Sequence, residues 1–140
     1  MQAAVGLAQL ERLDEFIQKK RRIFSTYTGM LSGTPGLQLP LPRTDFAENI
    51  NWVFGVVLDD EVPMDAAGAM GRLAEMGIGT RPFFWPMHEQ PAFRKMGLFA
   101  GESYPNAERI ARRGFYLPSG LALTETQMVR VVDSVRKVIA

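Results

Sequence analysis

The residues of this chain that could do chemistry gather in one stretch, GIGTRPFFWPMHEQPAF, from Gly77 to Phe93. Arg81 has the planar fork that grips a phosphate or a carboxylate with two parallel bonds. His88, the only histidine, can donate a hydrogen bond or move a proton near neutral pH. Phe83, Phe84 and Trp85 offer flat faces on which a base or a sugar stacks, and Pro82 and Pro86 stiffen the backbone around them. The same residues fit a plainer reading, in which alternate aromatics fill a core while Arg81 and His88 face water. Residue types alone leave both open.

Elsewhere the chemistry is thin. Asp59-Asp60-Glu61 is an acidic run, but three adjacent acids in a turn do not converge on one point, so it reads as a solvated strand end rather than an acid–base pair. There is no P-loop, no dinucleotide glycine fingerprint, no GxSxG elbow and no HExxH helix. Cysteine is absent, which excludes disulfides and thiolate metal sites. One histidine cannot make a multi-histidine metal centre within a single chain. A net charge of +1 gives no field to attract nucleic acid or anionic lipid, and no apolar run approaches the ~20 residues of a membrane span. The N-terminus lacks the basic start of a signal peptide. These bounds describe one soluble, cytoplasmic globular unit of 140 residues, within the usual range for a single domain.

The elements that must position the stretch follow from hydrophobic spacing. Leu10, Leu13, Ile17, Phe24, Tyr27 and Leu31 share one helical face, which predicts a helix from Ala3 to about Leu31. Lys20 interrupts that face but can lay its stem on apolar surface. The run Lys19 to Arg22 reads as the wet side of the same helix. Such a helix would be roughly 45 Å long at ~1.5 Å per residue, long for a domain of this size. Its first turn offers no Ser, Thr, Asp or Asn cap, so it looks cut rather than finished. The domain reading is a linking helix over residues 1–33 and a folded unit over 34–140.

Leu37, Leu39 and Leu41 alternate as a proline-tolerant edge strand. Val53 to Leu58 is a buried strand, Asp65 opens a helix that Gly77 closes, and Ile78 to Trp85 is a strand. Pro91 to Met96 is a helical turn, Pro105 starts a further helix, and Phe115 to Pro118 is a brief strand. Thr124 and Gln127 form a capping box for the last helix. The fold class is therefore α+β: an antiparallel or mixed sheet of three to four strands, with helices on one face and a long N-terminal helix.

Four segments, QAAVGLAQLERLDEFI, NWVFGVVLDD, GIGTRPFFWPMHEQPAF and PNAERIARRGFYLPSGLALTETQMVRVV, occur in the order of a known family. The chain resembles the C-terminal part of the DegT/DnrJ/EryC1/StrS sugar-nucleotide aminotransferases, with the perosamine synthase branch nearest in likeness. The resemblance implies the small C-terminal domain of aminotransferase fold type I. It implies pyridoxal phosphate (PLP) as the cofactor, a keto-sugar nucleotide such as a GDP-sugar as substrate, and assembly as a dimer or higher. It also implies that the cofactor's lysine, the acid facing its pyridine nitrogen and its phosphate-binding residues belong to a large domain preceding this segment. Lys19, Lys20, Lys95 and Lys137 do not stand in the family's lysine motif. No catalytic residue is carried over, then, and no covalent PLP attachment is expected on this chain alone. Arg81, Phe84 and His88 are carried over as substrate contacts. The alternative is a free-standing, non-catalytic module for nucleotide-sugar binding or oligomerisation.

Overall fold

A computed structural model describes all residues, 1–140. The N-terminal pattern forms two helices, α1 (Gln2–Leu10) and α2 (Leu13–Leu31), where one was expected. The break falls at Glu11–Arg12, with neither glycine nor proline to mark it. Arg12 leaves the helical region (φ −110°, ψ 12°), and its guanidinium grips the Glu15 carboxylate at 3.0 and 3.1 Å. Asp14 and Glu15 then sit in the first turn of α2, where the positive end of the helix dipole favours negative charge. No residue of α1 is buried, so no packing energy holds the two helices in line.

The remaining helices are α3 (Ala66–Glu75), α4 (Pro91–Lys95), α5 (Pro105–Arg113) and α6 (Glu125–Ile139). The strands are β1 (Leu37–Gln38), β2 (Phe54–Leu58), β3 (Arg81–Pro82) and β4 (Gly114–Leu117). They form one sheet in the order β1-β2-β4-β3. Every pairing is antiparallel, which resolves the antiparallel-or-mixed alternative. No helix is long and apolar enough to cross a membrane.

Alternation along the strands divides the sheet into two faces. Phe54, Val56 and Leu58 of β2, with Phe115 and Leu117 of β4, join the buried cluster that α2, α3 and α6 complete. From α2 come Ile23, Phe24, Tyr27 and Leu31; from α6, Met128, Val131, Val132, Val135 and Val138. The upper part of the expected stripe, Leu7, Leu10, Leu13 and Ile17, is exposed. Phe24 meets Phe54 edge-on at 5.2 Å. The Tyr27 hydroxyl donates to the Pro118 carbonyl at 2.8 Å, and burial pushes its pKa up. Lys20 does more than snorkel: its ammonium donates to the carbonyls of Trp52 (2.8 Å) and Ser119 (2.7 Å), tying together the entry of β2 and the exit of β4.

The caps fall where the sequence places them. Asp65 accepts from the Gly68 amide at 2.8 Å, and Thr124 and Gln127 cap reciprocally. Gly77 adopts φ +74°, and the Ile78 amide reaches back to the Leu73 carbonyl at 2.9 Å, a Schellman closure of α3. The expected strand from Ile78 to Trp85 shrinks to Arg81–Pro82 for related reasons. The Ile78 amide is spent on the helix end, and neither Pro82 nor Pro86 has an N–H to offer a ladder.

Candidate functional site

The second face of the sheet carries Gly55, Val57, Gly114 and Tyr116, and no helix of the core layer covers it. Phe83 lies across it with its ring 4.5 Å from that of Tyr116. Two glycines make room for that ring. A Cβ at Gly55 would come within 2.6 Å of Phe83, and one at Gly114 within 2.2 Å of Phe83 and 2.5 Å of the Ile110 carbonyl. Beside Phe83 runs a mostly apolar groove of about 660 Å³, bordered by Leu39, Trp52, Val57, Phe83, Phe84 and Tyr116. Phe84 is 78% exposed on its rim.

From Phe83 the chain runs to α5 through a 3₁₀ turn, Met87–Glu89, that Pro86 precedes and Pro91 follows. This turn buries His88, leaving it 7% exposed. Its Nε2 lies 2.9 Å from Glu108 Oε1, its ring meets Tyr104 edge-on at 5.0 Å, and its carbonyl accepts from Arg94 at 3.4 Å. The same Glu108 oxygen accepts the Tyr104 amide (2.8 Å) and the Ser103 hydroxyl (3.1 Å). The Tyr104 amide foremost, then His88, holds the Glu108 carboxyl below the ordinary glutamate range. Next along the turn, Glu89 takes Arg112 at 2.7 Å, and the Arg112 guanidinium lies over the Trp85 ring, 5.1 Å from its centroid. His88 also borders a separate depression of about 350 Å³ with Arg94, Gly97, Phe99 and Glu102.

The three expected contacts therefore sit in three settings. Phe84 rims the groove, His88 is packed against α5, and Arg81 is exposed on the edge strand β3, paired in register with Tyr116. Arg81 makes no ion pair or side-chain hydrogen bond. The plainer reading holds at Arg81, which faces water; it fails at His88, which is buried, and for the aromatics, since none of Phe83, Phe84 and Trp85 joins the buried core. Sequence reasoning passed over Glu108 and Arg112. The available signal was an acid in the first turn after Pro105 with a base four residues on, both on one helix face.

His88, Glu89 and Glu108 each bring one atom able to bind a metal within 4.8 Å of the others. Here the carboxylates are engaged by Arg112, His88 and the Tyr104 amide, so the cluster reads as an internal polar network. The acidic run after β2 is a turn, closed by the Val62 amide on the Asp59 carbonyl at 3.0 Å. Arg113 donates to the carbonyls of Leu58, Asp59, Val62 and Met64 inside it. Arg109 pairs with Asp60 at 2.9 Å.

The residues present do not fit a PLP site. Lys19 is paired with Glu15 at 2.6 Å, and Lys20 is held by two carbonyls. Lys95 ends the short α4, Lys137 lies in the last turn of α6, and none of the four borders the groove.

Comparison with known proteins places this geometry. The chain is 31% identical over 134 residues to a GDP-perosamine synthase of Vibrio cholerae, covering 96% of this chain and 35% of that one. It is 32% identical over 139 residues to a dTDP-4-dehydro-2,3,6-trideoxy-D-glucose 4-aminotransferase of Saccharopolyspora spinosa, covering 99% of this chain and 34% of the relative. Among solved structures, the aminotransferase TlmJ of Streptoalloteichus hindustanus superposes with a TM-score of 0.82 at 30% identity, over 97% of this chain and 35% of its own. PseC of Helicobacter pylori, at 20% identity and TM-score 0.87 over 99% of this chain and 36% of its own, shares the fold. The chain thus spans about a third of the length of these relatives. The profile of the DegT/DnrJ/EryC1/StrS aminotransferases matches residues 1–136, and the α+β layering and antiparallel sheet agree with the superposed TlmJ structure: the chain belongs to that family.

Proposed function

We propose that this chain is the C-terminal portion of a PLP-dependent aminotransferase acting on a keto-sugar nucleotide, of the perosamine synthase kind, and that it does not turn over alone. The observation that carries this is the pairing of a match along nearly the whole chain with lysines that are ion-paired, bound to carbonyls or on helices away from the groove. PLP chemistry needs a cofactor-binding amine, a partner for the ring nitrogen and a phosphate cradle. In this proposal they come from the large domain that makes up the rest of its relatives. This portion, working in the cytoplasm, supplies Arg81 toward phosphate or sugar hydroxyls, Phe84 as a stacking face and His88 as a hydrogen-bonding partner of the substrate. Residues 1–33 form the linking segment and 34–140 the small domain.

The test is direct. The purified chain with PLP should show no Schiff-base absorption, and with a GDP-keto-sugar and glutamate it should form no amino-sugar. A lysine adduct trapped at one position by borohydride, or turnover by this chain with coenzyme alone, would overturn the proposal.

One observation favours the second reading, a non-catalytic module. Val5, Leu7, Leu10, Leu13 and Ile17 leave an apolar stripe exposed along α1 and the start of α2, and such patches promote association. In that reading the chain is a homo-oligomer joined through this stripe. A monomer in light scattering at high concentration would count against it.

A further inference from the structure

His88 is the only histidine, and a neutral imidazole carries its proton on one nitrogen and accepts through the other. Which nitrogen does which decides what a ligand must offer. Four observations bear on it. Nε2 lies 2.9 Å from Glu108 Oε1. That same oxygen accepts the Tyr104 amide at 2.8 Å, and an amide N–H can only donate. It also accepts the Ser103 hydroxyl at 3.1 Å. Finally, the ring is packed in place by Tyr104 and is nearly buried, so it cannot turn to exchange its two edges without breaking these contacts.

We propose that Glu108 is a positioning residue that fixes His88 as its Nε2–H tautomer, leaving Nδ1 as the one ring nitrogen able to accept from a ligand. An oxygen already taking an amide proton is an acceptor, so the nitrogen facing it must donate. The groups around the ring agree with this. Glu89 on its own turn is held by Arg112, Arg94 of α4 binds the His88 carbonyl, and Glu102 is occupied by the Tyr104 hydroxyl at 2.7 Å. None of them competes for Nε2.

The consequence for binding rests on the sugar-nucleotide reading above. With Nε2 committed to Glu108, a His88 that accepts through Nδ1 selects a ligand donor, such as a sugar hydroxyl or an amino group. It does not serve a phosphate oxygen, which falls to Arg81. The carboxylate–histidine pair divides the recognition between the two residues.

A long-range proton–nitrogen correlation spectrum of the ¹⁵N-labelled chain gives one set of ring signals. In the neutral ring, Nε2 should resonate as the protonated nitrogen and Nδ1 as the bare one. Glu108→Ala removes the acceptor, so both signals should move toward each other as the Nδ1–H form appears. Glu108→Gln keeps a carbonyl oxygen opposite the Tyr104 amide and should restore the single tautomer. A parent chain with Nδ1 protonated or with mixed tautomers overturns the proposal, even if the alanine variant fails to fold. A folded Glu108→Ala chain with the parent's single tautomer does so too. Calorimetry with GDP separates this from the binding reading: absence of binding beside an intact Nε2–H tautomer sinks that reading and leaves the Glu108 assignment standing.

Discussion

Glu108 and Arg112 stand one turn apart on α5, and each holds one of two consecutive residues of the facing turn, His88 and Glu89. The loop after β3 is thus fastened to a helix rather than left as a flexible connection. Arg112 also covers Trp85, so one guanidinium orders both an acid and an aromatic. Its removal leaves Glu89, whose side chain is 10% exposed and whose Oε2 already lacks a partner, with Arg94 at 3.8 Å as its remaining cation. Arg112→Ala should therefore loosen the loop, red-shift the Trp85 emission and lower the urea midpoint. Trp52→Phe in the same background assigns the emission to Trp85. Unchanged emission would show that the α5 contacts do not order the loop.

Gly114 and Gly55 both lie under Phe83, but their neighbours differ in how far they can yield. At Gly114 an added methyl meets the Phe83 ring and the Ile110 backbone carbonyl; at Gly55 it meets Phe83 near the tip of its ring and, at 3.4 Å, Tyr116. Overpacking of this kind costs about 1–3 kcal/mol. Gly114→Ala should fall at the upper end and Gly55→Ala at the lower. Phe83→Ala should rescue Gly55→Ala more fully, because the carbonyl clash at Gly114 remains. Denaturant titration of the three single variants and the two double variants checks the order.

The helices were largely legible because their ends carry local chemistry. Asp65, Gly77, Pro105 and the Thr124–Gln127 pair each act within a few residues of themselves; β2 declares itself through a continuous apolar run, and α6 its buried face through Met and Val spacing. The division of the first helix was not legible, because Glu11 and Arg12 are good helix formers and the break reflects the absence of packing on α1. His88 was legible as a candidate but its setting was not. Burial of a histidine depends on Glu108, twenty residues away, and no spacing rule links a loop to a distant helix face. Phe84 and Phe83 show the same limit: adjacent aromatics of equal propensity differ only in which one meets Tyr116.

Tyr27 is fully buried, and its hydroxyl satisfies the Pro118 carbonyl at the exit of β4. Tyr27→Phe keeps the contact with Phe54 at 5.0 Å but orphans that carbonyl. The expected loss is about 1–2 kcal/mol, read as a lower urea midpoint with unchanged slope. A neutral result would mean that water reaches Pro118 once the hydroxyl is gone.

Arg113 closes the turn after β2 by donating to four backbone carbonyls, of Leu58, Asp59, Val62 and Met64. A planar fork reaches that many acceptors at once; a lysine ammonium has three donors on a single centre. Arg113→Ala should cost about 3 kcal/mol, and Arg113→Lys should recover less than half of it. Equal stability of the lysine variant and the parent would reduce the role of Arg113 to its charge.

Glu108 makes the stability of this region depend on pH in a definite direction. Its folded pKa lies below the ordinary value of 4.5, chiefly through the Tyr104 amide and then His88. As pH falls past 4.5, the unfolded chain takes up this proton before the folded one does. Stability from Glu108 is therefore fully present above that value and is lost as pH drops through the lower folded one. Glu15, shifted the same way by Lys19 and Arg12, is common to parent and variant and cancels between them. The difference in urea midpoint between the parent and Glu108→Gln should be widest near neutral pH and narrow steadily below 4.5. A difference that stays constant or grows on acidification would mean that the Glu108 carboxylate is not held ionised by its donors, and that its hold on the loop is steric.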